Sequence, residues 1–207
     1  GKSGTPPTNP ELLDWLATEF ARQGWSIKQM HRLMMTSSAY RQVSTVSAES
    51  KALDPENVSL SRMPMRRMDA ESLNDSILLI SGRLDETRFG VPAPVEVRGD
   101  GLVTPIETPG GFRRTIYIQQ RRTQIPTMLD NFDLPPMNPN CSERPESTVS
   151  LQALYLLNNG LVHQLATSTA ARIRREAGDD VDKQIDTLYW RALSRAPSDE
   201  ERKLALD

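Results

Sequence analysis

The sequence has few of the residues that usually carry chemistry: one cysteine, Cys141, and two histidines, His31 and His163, among 207 residues. A single cysteine excludes an internal disulfide, and the lack of any Cys-x-x-Cys-His run excludes covalent haem attachment within the chain. This set also falls short of a zinc constellation, so no metal site is expected. Neither sign of charge dominates. Lys and Arg number 25 against 27 Asp and Glu, a net of -2, so no global basic field draws the chain to nucleic acid or anionic membrane. No apolar run approaches the roughly 20 residues of a bilayer span, and no signal-peptide pattern is present.

What is present reads as one mainly α-helical domain over 1–207, with a small β element and a long Pro-rich irregular segment. The chain begins without Met and stops inside a helical pattern at EERKLALD, so it reads as a fragment of a longer polypeptide. Its missing leader therefore carries no information on compartment.

Asn9-Pro10 opens a helix over about 10–23, with Leu12, Leu13, Leu16 and Phe20 at helical spacing and Gly24 as its stop. Ser26 with Gln29 forms a capping box, with Trp25 placed to staple onto Met30, and Ile27, Met30, Leu33 and Met34 share one face of the next helix. These two helices are expected to pack antiparallel. From Ser44 to Pro64 polar residues and prolines interrupt any long pattern. Leu73, Ile77, Ile80 and Leu84 mark a third helix ending near Gly82.

Residues 85–112 read as an irregular surface excursion, with VPAPVEV as a short strand. Thr115–Gln120 has strand composition, and MLDNF fits one helical turn. The Pro-rich loop 133–147 follows. Ser147 or Thr148 then starts a helix through Leu157, Asn159 and Gly160 break it, and further stripes run to Gly178, from Val181 to Ala192, and beyond a capping box of Ser198 and Glu201. The helices at the two ends are expected to pack on each other, with the Pro-rich segment across them.

The span from Arg113 to Gly160 concentrates the candidate site residues. As a strand, RRTIYIQQRR puts Arg113, Thr115, Tyr117, Gln119 and Arg121 on one face, and Arg114, Ile116, Ile118, Gln120 and Arg122 on a face that meets the core. Guanidinium forks suit carboxylate, sulfate or phosphate. Eight strand residues separate Arg113 from Arg121 by about 26 Å, too far to close on one small anion. An extended acidic ligand fits that spacing, and so do separate ion pairs with Asp130, Asp133, Glu143 or Glu146.

Cys141 lies beside Arg144, whose charge favours a thiolate, yet no base is near in sequence. Free cysteine more often behaves as a small hydrophobe. Asp130 and Asp133 form a carboxylate pair of the kind acid/base chemistry uses, or cap local turns. His31 among Met30, Met34, Met35, Met63, Met65 and Met68 suggests soft-metal or haem ligation, although methionines at this spacing usually fill a core. Gly1-Lys2-Ser3 lacks the first glycine, strand and helix of a phosphate-binding loop, which excludes it. Asn57-Val58-Ser59 and Asn140-Cys141-Ser142 fit the glycosylation pattern.

Together NPELLDWLATEF, LMMTSSAYRQVS, RMPMRRMDAESLNDSILLISGRLD, RRTIYIQQRR, FDLPPMNPNCSERPESTVSLQALYLLNN and YWRALSRAPSDEE resemble the C-terminal domain of unknown function of planctomycete cytochrome-c-associated surface proteins. The resemblance implies an exported protein, periplasmic or at the cell surface. It also implies an upstream domain of the same polypeptide as a partner, a cytochrome-type domain or an acidic glycan as further partners, and any haem in that upstream region. It supplies no activity.

Three functions are consistent with these residues. The first is a noncatalytic binding or assembly module with Arg113, Tyr117, Arg121, Asp133, Cys141 and Arg144 at its contact surface. The second is an enzyme of carbohydrate or redox metabolism whose site, with Asp133, Arg121 and Cys141, is shared with the upstream domain. The third is a purely structural scaffold.

Overall fold

A computed structural model describes residues 4, 6–136, 141, 144 and 146–206. Among these residues helices dominate and strands are two or three residues long, so the chain is mainly α with a small β element. Two compact units form, Gly1–Arg66 and Arg67–Asp207.

In the first unit, Pro10 occupies the opening position of α1 (Pro10–Arg22), where its missing N–H costs nothing. Gly24 takes the left-handed conformation that ends the helix. Trp25 follows, also at positive φ, and its indole packs edge-on against Phe20 with ring centroids 5.2 Å apart. Ser26 caps α2 (Ile27–Thr36) by accepting the Gln29 amide at 3.4 Å.

A short helix, α3 (Ala48–Leu53), forms within the span whose polar residues and prolines interrupt any long pattern. Ser47 caps it, accepting the Ser50 amide at 3.1 Å. Asp54 then gathers the amides of Val58 and Ser59 at 2.8 and 2.9 Å, while Arg62 donates to the Asp54 and Pro55 carbonyls. Local hydrogen bonding of this kind replaces periodicity as the organising force.

The second unit is built on α4 (Ala70–Ser81), closed by Gly82 at φ +72°. Four short strands follow: β1 (Leu84–Asp85), β2 (Val95–Val97), β3 (Val103–Pro105) and β4 (Phe112–Arg113). The helices α5 (Thr127–Asn131), α6 (Ser150–Asn158), α7 (Gly160–Ala177), α8 (Val181–Leu193) and α9 (Asp199–Leu206) complete it. α4 packs against α7, which also meets α6 and α8. Buried Leu78, Phe112 and Leu165 form the core, with Ile77, Leu84 and Leu161 against them. Full burial of such a side chain contributes about 1.5–3 kcal/mol. Arg172 of α7 reaches the open end of α4, donating to the Leu79 and Ile80 carbonyls at 2.6 and 3.2 Å. It thereby adds a donor at the last turn, where the Leu79 carbonyl also accepts the Gly82 amide at 3.1 Å.

The 85–112 segment is more ordered than its composition predicts. Val95 is the start of a strand, as VPAPVEV suggests, and β2 pairs antiparallel with β3. β1 pairs in parallel with β4, Leu84 opposite Phe112 and Asp85 opposite Arg113. Gly111 makes this crossing possible. At φ +114° a Cβ would stand 2.4 Å from the Arg83 carbonyl oxygen, the same atom that accepts the Phe112 amide at 2.8 Å.

The strand expected over 115–120 does not form. After β4 the chain makes a single 3-10 turn, Thr115–Tyr117, and rejoins its neighbour only at the Ala93–Ile118 bridge. The two faces expected of it are largely reversed: Ile116 is 77% exposed and Arg113 and Thr115 are buried at 7% and 1%, while Ile118 is buried at 5% as expected. Long-range partners override the alternation, as the site shows.

Candidate functional site

Arg113 heads the candidate residues, and its guanidinium is turned into the protein. Nη1 donates to the Val91 carbonyl at 2.9 Å, and Nη2 donates to the Thr87 and Phe89 carbonyls at 2.7 and 2.9 Å. The guanidinium carbon lies 4.5 Å from the centre of the Tyr117 ring, a cation–π contact. Only its Nε is buried without a partner. Arg113 and Tyr117 are therefore brought together, as a clamp on the 87–91 loop. A buried cation that spends its fork on three main-chain oxygens has little left for an external anion.

Thr115 shows the same inward logic. Its amide and hydroxyl both donate to Asp75 Oδ1 at 2.7 Å, and the hydroxyl accepts from Asn74 at 2.9 Å. Arg114 donates from Nε to the other oxygen of Asp75 at 3.1 Å. Asp75 and Asn74 on α4 thus hold the 3-10 turn, a function that needs this threonine to face in rather than out.

Asp133 and Arg144 are the other pair brought together, as two walls of a small pocket with Arg67, Asp69, Glu146 and Gln152. Its volume is ≈ 20 Å³, room for about one water and far too little for a sugar. Asp133 stands at positive φ and accepts the Ser147 amide and hydroxyl at 2.7 and 2.8 Å. It closes the Pro-rich loop onto the approach to α6.

Arg144 makes a two-pronged pair with Glu71 at 2.7 and 3.0 Å, with Asp69 at 3.8 Å. The guanidinium beside Glu71 holds its carboxyl below the usual carboxylate range, against the opposing effect of burial. The Glu71 hydrogen bond in turn raises Arg144, and Asp69 and Cys141 add to that field. Gln152 ties the same region together: it accepts from Arg67 at 3.0 Å and donates to the Asn131 carbonyl at 3.0 Å.

Arg121 and Cys141 do not line this pocket. Arg121 is exposed and donates to Gln124 at 3.4 Å; Cys141 is exposed beside Arg144. Ion pairs with Asp130, Asp133, Glu143 or Glu146 were the alternative expected for Arg113 and Arg121; Arg113 donates to three carbonyls and Arg121 to Gln124. Arg144 pairs with Glu71 and Asp69, carboxylates 73 and 75 residues away. Glu143, the Asn140 and Ser142 of one glycosylation pattern, Gly1-Lys2-Ser3 and part of the 133–147 loop lie outside the described residues.

Asn57 of the other pattern donates its amide to the Arg62 carbonyl at 2.8 Å. His31 is exposed, and His163 bonds the Leu157 carbonyl at 2.9 Å. Among the described residues, no three His, Cys, Asp or Glu side chains converge as metal ligands, and no helix is long and apolar enough to cross a membrane.

Two surface features lacked a signal in the sequence reading. One is the loop tip that Arg113 clamps, where Phe89 and Val91 are 79% and 86% exposed. The other is an open groove of ≈ 710 Å³ along α7 and α8, lined chiefly by Ala166, Ala170, Ile173, Val181, Ile185 and Leu188. The helix stripes announce those apolar residues but not that a trough between them stays uncovered.

Fold and side-chain geometry together define a mainly helical module whose conspicuous polar residues hold its own loops and helix ends. The whole chain, residues 1–207, matches the family described as PSD1, protein of unknown function (DUF1553), and belongs to it. No curated protein and no solved structure matches the chain.

Proposed function

We propose that this chain is a noncatalytic binding or assembly module of an exported, cytochrome-c-associated protein, and that it acts by contact with other folded domains. Any haem resides in the upstream part of that polypeptide. The observation that carries the reading is the way the candidate catalytic groups are used. Asp133 closes a loop through Ser147, Arg113 clamps three carbonyls and Arg144 is engaged by Glu71. The open groove along α7 and α8 is lined mainly by apolar side chains, a surface suited to packing rather than to polarising a bond.

The enzyme reading draws on the shared pocket of Asp133 and Arg144, and the two separate on one substitution. Asp133→Asn in the complete polypeptide keeps the shape and weakens the bonds from Ser147, so it should cost about 1–2 kcal/mol of stability. Any activity per folded molecule should be unchanged. A hundredfold loss of turnover at unaltered melting temperature would establish the shared active site instead.

A further inference from the structure

Helix α9 is attached to the Arg67–Asp207 unit by charge rather than by apolar packing. Its neighbours α7 and α8 are seated in the ordinary way, with Ile173 and Ile185 buried at 5% and 7%. α9 contributes no buried residue, and among the described residues it shares no extended packing with another helix. Its leucines stay in solvent, Leu204 at 76% and Leu206 at 55% exposure. The best-covered side chains of α9 are charged ones, Glu201 and Arg202, at 32% and 30%.

Each of these two residues has a separate task. Glu201 works within the turn that enters the helix. It accepts both Nη atoms of Arg195 at 2.7 Å and the Ser198 amide at 2.9 Å, while the Ser198 hydroxyl accepts the Glu201 amide at 3.2 Å. The start of α9 is therefore closed by local residues. Arg202 reaches across to α8, donating from Nη1 to Asp182 at 2.9 Å and from Nη2 to Asp186. Among the described residues these are the side-chain bonds that join α9 to another helix. Asp182 and Asp186 stand one turn apart on α8, where like charges repel, so one guanidinium both fastens α9 and relieves that repulsion. Ala205 of α9 lines the α7–α8 groove. The connection back to α8 runs through Ser194 at φ 55° and through Pro197.

A helix of 8 residues is marginal by itself, and exposed ion pairs are weak and screened by salt. We propose that α9 is a strap held by an ionic latch, Arg202 between Asp182 and Asp186, which rising ionic strength releases while α7 and α8 stay folded. On release Ala205 leaves the groove wall, and the end of the groove beside it opens. The strap goes beyond the reading of the chain as an assembly module and does not depend on it.

Hydrogen exchange of the 207-residue chain in about 0.1 M and about 1 M sodium chloride tests the latch, because the screening length falls from about 10 to about 3 Å between them. Relative to amides of α7, those in the last turn of α9 should exchange about tenfold faster at the higher salt, the loss expected for two exposed pairs. Arg202→Gln preserves helix propensity and should show the fast rate already at the lower salt, with no further response. Arg202→Lys should restore part of the protection together with the salt response. Leu204→Ala should alter neither, since that side chain is exposed.

A wild-type α9 whose exchange responds less than twofold to salt overturns the proposal. So does a loss of protection in Leu204→Ala equal to that in Arg202→Gln, which would make apolar docking the tie.

Discussion

Replacing Arg113 by methionine separates a loop clamp from a ligand-binding residue. The substitution removes three hydrogen bonds from a charged group to main-chain oxygens, each contributing roughly 1.5–3 kcal/mol in a protein interior, together with the contact on Tyr117. Two effects offset the loss. The unpartnered Nε and the desolvation of the guanidinium both vanish, and the freed carbonyls regain water once the exposed loop peels away. The net cost is on the order of 2–4 kcal/mol. For a unit of this size each kcal/mol lowers the melting temperature by about 2–4 °C, so a drop of roughly 5–15 °C is expected by calorimetry.

Hydrogen exchange localises that loss. The Ala93 amide, bonded to the Tyr117 carbonyl at 2.8 Å, should lose protection first, whereas amides of α8 should change only through the global term. Arg113→Lys should recover less than half of the stability, because an ammonium cannot span three carbonyls set around a planar fork. A methionine variant that melts within 2 °C of wild type with Ala93 still protected would refute the clamp. It would return Arg113 to the list of residues available for a ligand.

Other positions give independent checks. Gly111→Ala should cost about 2–4 kcal/mol in urea unfolding, since its Cβ meets the Arg83 carbonyl at φ +114°; Gly101→Ala, at φ +84° with open space around it, should cost only about 1 kcal/mol. Equal costs would show that backbone strain rather than the close approach governs the crossing. Thr115→Val keeps shape but removes the hydroxyl that donates to Asp75 and accepts from Asn74, so it should cost about 1–3 kcal/mol, with Thr115→Ser recovering most of it. Arg195 and the Ser198 amide hold Glu201 at a pKa of about 2 against an ordinary 4.5. The folded value is the lower one, so this contribution is complete above pH 4.5 and is lost as pH falls toward about 2. Glu201→Gln should remove that part of the acid sensitivity of α9, and a carboxyl resonance of Glu201 titrating near its ordinary value would contradict it.

Most helices were legible because their signals are local. Pro10, the Ser26 cap, Gly82 and the reciprocal bonds of Ser198 with Glu201, at 2.9 and 3.2 Å, act within a few residues of where they are written. The short helix after Ser47 escaped because six residues are too few for a period to show, and only its cap marks it. The sixth helix begins later than Ser147 for a related reason. Asp133, 14 residues earlier, takes both the Ser147 amide and hydroxyl, so the serine that looks like a cap is spent closing a loop.

The candidate site was less legible because its partners are distant. Asp75 lies 40 residues from Thr115 and Glu71 lies 73 from Arg144, and nothing in strand alternation encodes either. An arginine on a paper strand alternates outward; an arginine near a loop with free carbonyls turns inward, because each unsatisfied buried oxygen costs more than the alternation gains. The same accounting identifies which basic residues remain open to a partner. Arg113 and Arg144 are engaged by oxygens of their own chain, whereas Arg88, beside a braced, exposed phenylalanine, makes no ion pair among the described residues. The RRTIYIQQRR run therefore braces an exposed loop of its own chain, with Arg113 donating to the carbonyl of Phe89, 24 residues upstream.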